Sequence, residues 1–87
     1  MKIKDGFVLR EIAGSYIVVA VGDAVKSFNG VISLNQTGAF LWKALSNGGD
    51  ENTLLKALLD EYEVDEDIAK KDIEAFIKRL QDANLLV

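Results

Sequence analysis

Leu34-Asn35-Gln36-Thr37-Gly38-Ala39-Phe40-Leu41-Trp42 is where the chain changes its period. Before it, β-branched and aromatic residues come in short runs broken by glycine. After it, apolar residues recur every three or four positions, the spacing of a helix with one buried face. Asn35 is placed to cap that helix, its side-chain oxygen accepting an orphan backbone N–H; Ser33 with Gln36 is a competing capping-box pair. No side chain within the stretch is equipped for acid–base or nucleophilic chemistry.

Upstream, Phe7-Val8-Leu9-Arg10-Glu11-Ile12-Ala13 and Tyr16-Ile17-Val18-Val19-Ala20-Val21 predict two strands, with Gly14-Ser15 as a two-residue hairpin turn. The unbroken apolar block from Tyr16 to Val21 reads as a buried strand. Gly22-Asp23 ends it. Asn29-Gly30 is another tight-turn dipeptide, and Val31-Ile32-Ser33-Leu34 after it predicts a short third strand at the sheet edge. Val25 and Phe28 either form one more short strand across that turn or plug the core from a loop.

Downstream, Phe40, Leu41, Ala44 and Leu45 make the inner face of helix one, and Asn47-Gly48-Gly49 stops it. Trp42 falls at the margin of that face. Asp50 or Asn52 starts helix two, with Leu54, Leu55, Leu58, Leu59 and Tyr62 along one side. Asp65 caps helix three, and Glu66 and Asp67 in its first turn favour the positive end of the helix dipole. At about 100° per residue, Ala69, Ile73, Phe76 and Leu80 share the core face of helix three. Ile68, Asp72, Ala75 and Arg79 form a neighbouring stripe, and Ile77 sits on the opposite flank. The helix runs to about Ala83, and Leu85-Leu86-Val87 closes the core. The order βββααα predicts an α+β, winged helix-turn-helix-like fold: a three-stranded antiparallel sheet, then a three-helix bundle. Residues 1–87 are expected to form a single domain.

Composition narrows the function classes. Eighty-seven residues bury roughly 60–65% of the surface exposed on unfolding, enough for one core and no deep enclosed site. With 49% apolar residues the chain can fold alone. It has no cysteine, histidine or proline, so thiolate chemistry, disulfides and the commonest general base and metal ligand are excluded. No apolar run approaches the ~20 residues of a membrane span, the N-terminus lacks a signal-peptide pattern, and a cytoplasmic protein is expected. The net charge of −4 divides unevenly: residues 1–49 carry five basic and three acidic side chains, residues 50–87 five and eleven.

Several features invite a chemical reading. The acids Asp60, Glu61, Glu63, Asp65, Glu66 and Asp67 lack the central glycine and ligand spacing of a calcium loop and suit capping and solvated surface. Gly48-Gly49 precedes Asp50-Glu51, which would repel a phosphate, so it is a helix-ending turn. No catalytic residue, metal site or cofactor is expected. The uncharged edge strand 31–34 is different. It is either too short to matter, or an open row of N–H and C=O groups onto which an extended peptide pairs. Ile68, Asp72, Ala75 and Arg79 would then supply pockets and polar anchors beside it, and Ile32→Pro would delete an edge hydrogen bond. The same edge could join two copies of the chain. A winged-helix DNA-binding regulator is the alternative, but Lys70, Lys71, Lys78 and Arg79 are offset by Asp65, Glu66, Asp67, Asp72, Glu74 and Asp82, a poor surface for phosphates.

The βββααα order, Leu34-Asn35-x-x-Gly38 running into Trp42, the Asp72…Phe76…Leu80 pattern and the Leu85-Leu86 ending resemble the PqqD family over roughly residues 7–87. These are the peptide chaperones of pyrroloquinoline quinone biosynthesis, within the wider group of precursor-peptide (RiPP) recognition elements. The resemblance implies a non-catalytic protein that holds the leader of a ribosomally made precursor peptide as a strand added to the third strand. Carried onto this chain, the leader lies along Val31, Ile32, Ser33 and Leu34, facing Ile68, Asp72, Ala75, Phe76 and Arg79. The implied partner is a radical-SAM or other peptide-modifying enzyme. Helix one departs from the quinone members' alanine-rich pattern ending in Cys-Asp-Gly, carrying Gly38 and Trp42 and ending in Ser46-Asn47-Gly48-Gly49. A lasso-peptide or other modified-peptide pathway therefore fits as well as the quinone.

Overall fold

In the computed structural model, which describes residues 1–28 and 30–87, three strands precede three helices. Strand β1 (Phe7–Ile12) pairs antiparallel with β2 (Ser15–Ala20), and β2 with β3 (Ile32–Leu34). The sheet order β1-β2-β3 leaves β3 at an edge. The sequence reading put the hairpin turn at Gly14-Ser15. The two turn residues are instead Ala13 and Gly14, both with positive φ (51° and 80°), as a turn matching the strand twist requires. Ser15 belongs to β2.

The block from Tyr16 to Val21 is not a fully buried strand. Val18 is buried, but Ile17 and Val19 are half-exposed and Val21 is exposed. Among the described residues, Ile17, Val19 and Val21 neither join the core cluster nor pack against it. The span 24–28 forms no strand: Gly22–Lys26 is a 3₁₀ turn, Phe28 packs edge-on against Phe7 at 5.4 Å between ring centroids, and Val25 is exposed. The expected Asn29-Gly30 turn includes Asn29, which lies outside the described residues.

Helix α1 (Gln36–Leu45) is capped by Asn35, whose side-chain oxygen accepts from the Gly38 N–H at 2.7 Å. Asp50 rather than Asn52 caps α2 (Glu51–Glu61), in a reciprocal pair with Thr53. Asp65 caps α3 (Glu66–Asp82) through the Asp67 N–H. The core gathers Val18, Ile32 and Leu34 from the sheet with Leu41, Leu45, Leu54, Leu58, Ala69, Ile73, Phe76 and Leu80 from the helices. Trp42 lies inside this core rather than at its margin, only 4% exposed. Ile77, placed by the wheel on the far flank, is also buried at 6%. One helix face widens when neighbours close on it from two sides, which a single wheel does not show. At the C-terminus Leu85 is buried and Leu86 bridges to Ile3, but Val87 is 80% exposed and adds nothing to the core.

Candidate functional site

Strand β3 is short but its orientation is well determined. Backbone groups of successive strand residues point alternately to the two neighbours. The Val21 N–H donates to the Gly6 carbonyl at 2.8 Å, and the two-residue turn makes Ile12 and Ser15 a hydrogen-bonded pair. Odd-numbered residues of β2 therefore face β1, and Tyr16 and Val18 face β3. Their partners are Leu34 and Ile32, so these two turn their N–H and C=O inward. Ser33, between them, turns its N–H and C=O outward, as does Val31 if the alternation is continued. Among the described residues no other segment hydrogen-bonds to that outer side. The sequence reading made the Ile32 N–H an edge group; it is committed to β2, and Ser33 carries the edge group instead.

At the Leu34 end of this strand lies a groove of about 300 Å³. One side is formed by Leu34, Asn35, Thr37, Gly38 and Leu41, where the strand turns into α1. Asp72, Ala75, Phe76 and Arg79 of α3 form the other. A second hollow places Phe28 near Ala83 and Asn84, so α3 runs antiparallel to the segment from 28 to 37. The apolar floor is Leu34, Leu41 and Phe76, all buried. Asp72 and Arg79 stand about 10 Å apart along the helix, at 1.5 Å per residue, one at each end of Ala75. Neither is ion-paired among the described residues. Gly38 gives the groove its depth. A Cβ there would meet the Asn35 side-chain oxygen at 3.2 Å and the Leu34 side chain at 3.3 Å.

Of the residues singled out from sequence, Leu34, Asp72, Ala75, Phe76 and Arg79 line this groove together. Ile32 is part of the core, while Val31 and Ser33 are exposed along the edge. Ile68 does not line it. It lies one turn before Asp72 and is 54% exposed. The sequence reading missed Asn35, Thr37, Gly38 and Leu41. Their stretch was singled out, but only as a cap and a core face; that a cap also walls a groove depends on where α3 passes.

Among the described residues no polar or charged side chain is buried, and no group of three carboxylates comes together to hold a metal. The basic residues of α3 are interleaved with exposed acids, so the helix presents no basic face.

The sequence matches the family model for coenzyme PQQ synthesis protein D (PqqD) over residues 8–86. The chain belongs to the PqqD family. Two solved structures share its fold. TbiB1 in complex with the TbiA(beta) leader peptide superposes with a TM-score of 0.76 at 24% identity, covering 99% of this chain and 94% of that one. Lasso peptide synthetase B1 complexed with its leader peptide gives 0.74 at 20% identity, covering 99% and 95%. A search of curated protein sequences returns no match. No helix is long and apolar enough to cross a membrane among the described residues.

Proposed function

We propose that this PqqD-family domain, spanning residues 1–87, is a non-catalytic peptide chaperone. It holds the leader of a ribosomally made precursor as a strand added to β3 and presents it to a maturation enzyme. The observation that carries this is the outward-facing backbone of Ser33 beside a groove walled by α3. Main-chain pairing supplies affinity without sequence preference, and alternate peptide side chains enter the groove and supply choice. Val31, Ile32, Ser33 and Leu34 form the edge and its backing. Asp72, Ala75, Phe76 and Arg79 form the wall, and Ile68 is an apolar ledge past its end.

The chemistry belongs to a partner: a radical-SAM enzyme in a quinone-type pathway, or lasso machinery of the kind that one of the two structural neighbours is named for. The place of work is the cytoplasm, where such precursors are made. A copy of the chain paired edge to edge through β3 would compete with the peptide.

Titration with the short peptide encoded beside this chain, followed by amide NMR, tests the reading. Shifts concentrated at residues 31–38 and 72–79 are expected. No shift there at millimolar peptide would refute it.

A further inference from the structure

The sheet has a second face, and it has the wrong composition for solvent. An antiparallel sheet with one open face ordinarily alternates apolar inward and polar outward. Here the outward positions are Val8, Ile12, Ile17, Val19, Val21 and Val31, interrupted by Arg10, Ser15 and Ser33. None of the six apolar residues joins the core cluster or packs against it. Ile12, Val21 and Val31 are among the exposed large hydrophobics, Ile12 at 58% and Val31 at 57%. The register sets Val8 beside Val19, and continuing it by one residue sets Val31 on the other side. Val8 and Val19 thus form a valine pair across β1 and β2, extended by Val31 just before β3. High β-propensity explains β-branched residues in strands, but not their predominance on a face turned to solvent.

We infer that this face docks the enzyme that modifies the bound peptide, through an apolar patch carrying a carboxylate. The inference rests on the peptide-holding reading above. Three observations favour that occupant over a second copy of the chain. Arg10 is the one charge on the face and is unpaired among the described residues, and the same face of another copy has no acid to meet it. Two six-residue strands about 20 Å long and one three-residue strand about 10 Å long, about 4.8 Å apart, give a face of roughly 240 Å², well under the ~800 Å² per partner of a stable interface. So small a face suits a partner that is also tethered, and a precursor held at β3 with its far end in the enzyme supplies that tether. Ser33 joins the two surfaces: its backbone lies on the β3 edge and its side chain on this face. An enzyme seated here borders the peptide.

The test uses the purified peptide-modifying enzyme encoded beside this chain, titrated calorimetrically with and without the precursor peptide. Val19→Lys and, independently, Arg10→Glu are expected to weaken enzyme association at least tenfold. Both should leave the affinity for the isolated leader within twofold. Retention of full enzyme affinity by both variants would overturn the inference. So would failure of the unaltered protein to bind the enzyme when precursor is present. Sedimentation showing a dimer that Val19→Lys makes monomeric would overturn it in favour of self-association. Enzyme docking that is lost in both variants while the unaltered protein ignores the leader would support the face and sink the peptide reading alone.

Discussion

The sheet has two open edges, and they are built differently. β1 turns the backbone groups of Phe7, Leu9 and Glu11 outward, by the same alternation that turns out Ser33 on β3. It is the longer edge, six residues against three. Yet it carries the exposed charges Arg10 and Glu11, the usual device for blunting an edge. The β3 edge is uncharged, and at its Leu34 end it meets a groove whose far side is α3. Magnitudes say which matters more. Four main-chain hydrogen bonds at about 1 kcal/mol net each amount to roughly millimolar binding, before the cost of ordering the peptide. Reaching micromolar affinity takes about 4 kcal/mol more, supplied by burying about 160 Å² of apolar surface. An edge becomes a binding site when it has a wall; length alone does not make one.

The largest effect should come from proline placed on each edge in turn. Ser33→Pro removes an outward N–H without touching the ladder to β2, a position where strands tolerate proline. It should weaken leader binding at least tenfold in a calorimetric titration while the circular dichroism spectrum is unchanged. Glu11→Pro makes the same deletion on β1 and should leave leader affinity within twofold. Equal losses in both variants would erase the distinction between the edges.

Filling the wall should cost nearly as much. Ala75 is exposed on the groove side of α3, so Ala75→Trp should leave the melting temperature within a few degrees and reduce leader affinity about tenfold. Unchanged affinity would show that main-chain pairing alone suffices. A smaller effect is expected from Arg79→Glu. It should weaken binding of an acidic leader a few-fold at low ionic strength, with the difference fading as salt screens the charge. Fluorescence anisotropy across a salt series checks this.

The smallest effect concerns stability, at the start of α2. The Asp50 carboxylate accepts from the Thr53 N–H and, secondarily, the Thr53 hydroxyl, which hold its pKa below the ordinary 3.8. A folded value below the unfolded one means the cap's contribution is fully present above about 3.8 and lost as pH falls through the folded value. Asp50→Ala should therefore lower the urea midpoint slightly at neutral pH and make no difference in strong acid. A difference that persists in strong acid would show the cap does not act through its charge.

Much of this was legible in the residues. Asp65 announces a helix start by its chemistry, and Asn35 and Asp50 are each one of two candidates the residues offer, since a short acceptor side chain satisfies orphan N–H groups wherever the chain goes next. Ala69, Ile73, Phe76 and Leu80 were readable as a core face because helical spacing is local. The errors have one physical origin. Trp42 and Ile77 were misplaced because burial depends on what lies opposite. The block from Tyr16 to Val21 was expected to be buried because an apolar run does not state whether both of its faces are covered.

The hairpin shows the boundary most sharply. Gly14 marks a turn, but whether Ala13 or Ser15 joins it shifts the alternation of β2 by one residue. That shift exchanges Ile32 for Ser33 as the residue whose backbone points outward. The amino-acid order by itself determined the strands, the helices and their caps, because these follow from periods and hydrogen-bonding groups a few residues apart. Only the tertiary structure decided which backbone groups are left open, that α3 walls them, and that the sheet's second face is bare. Those depend on register and on the path of distant segments, to which local chemistry is blind.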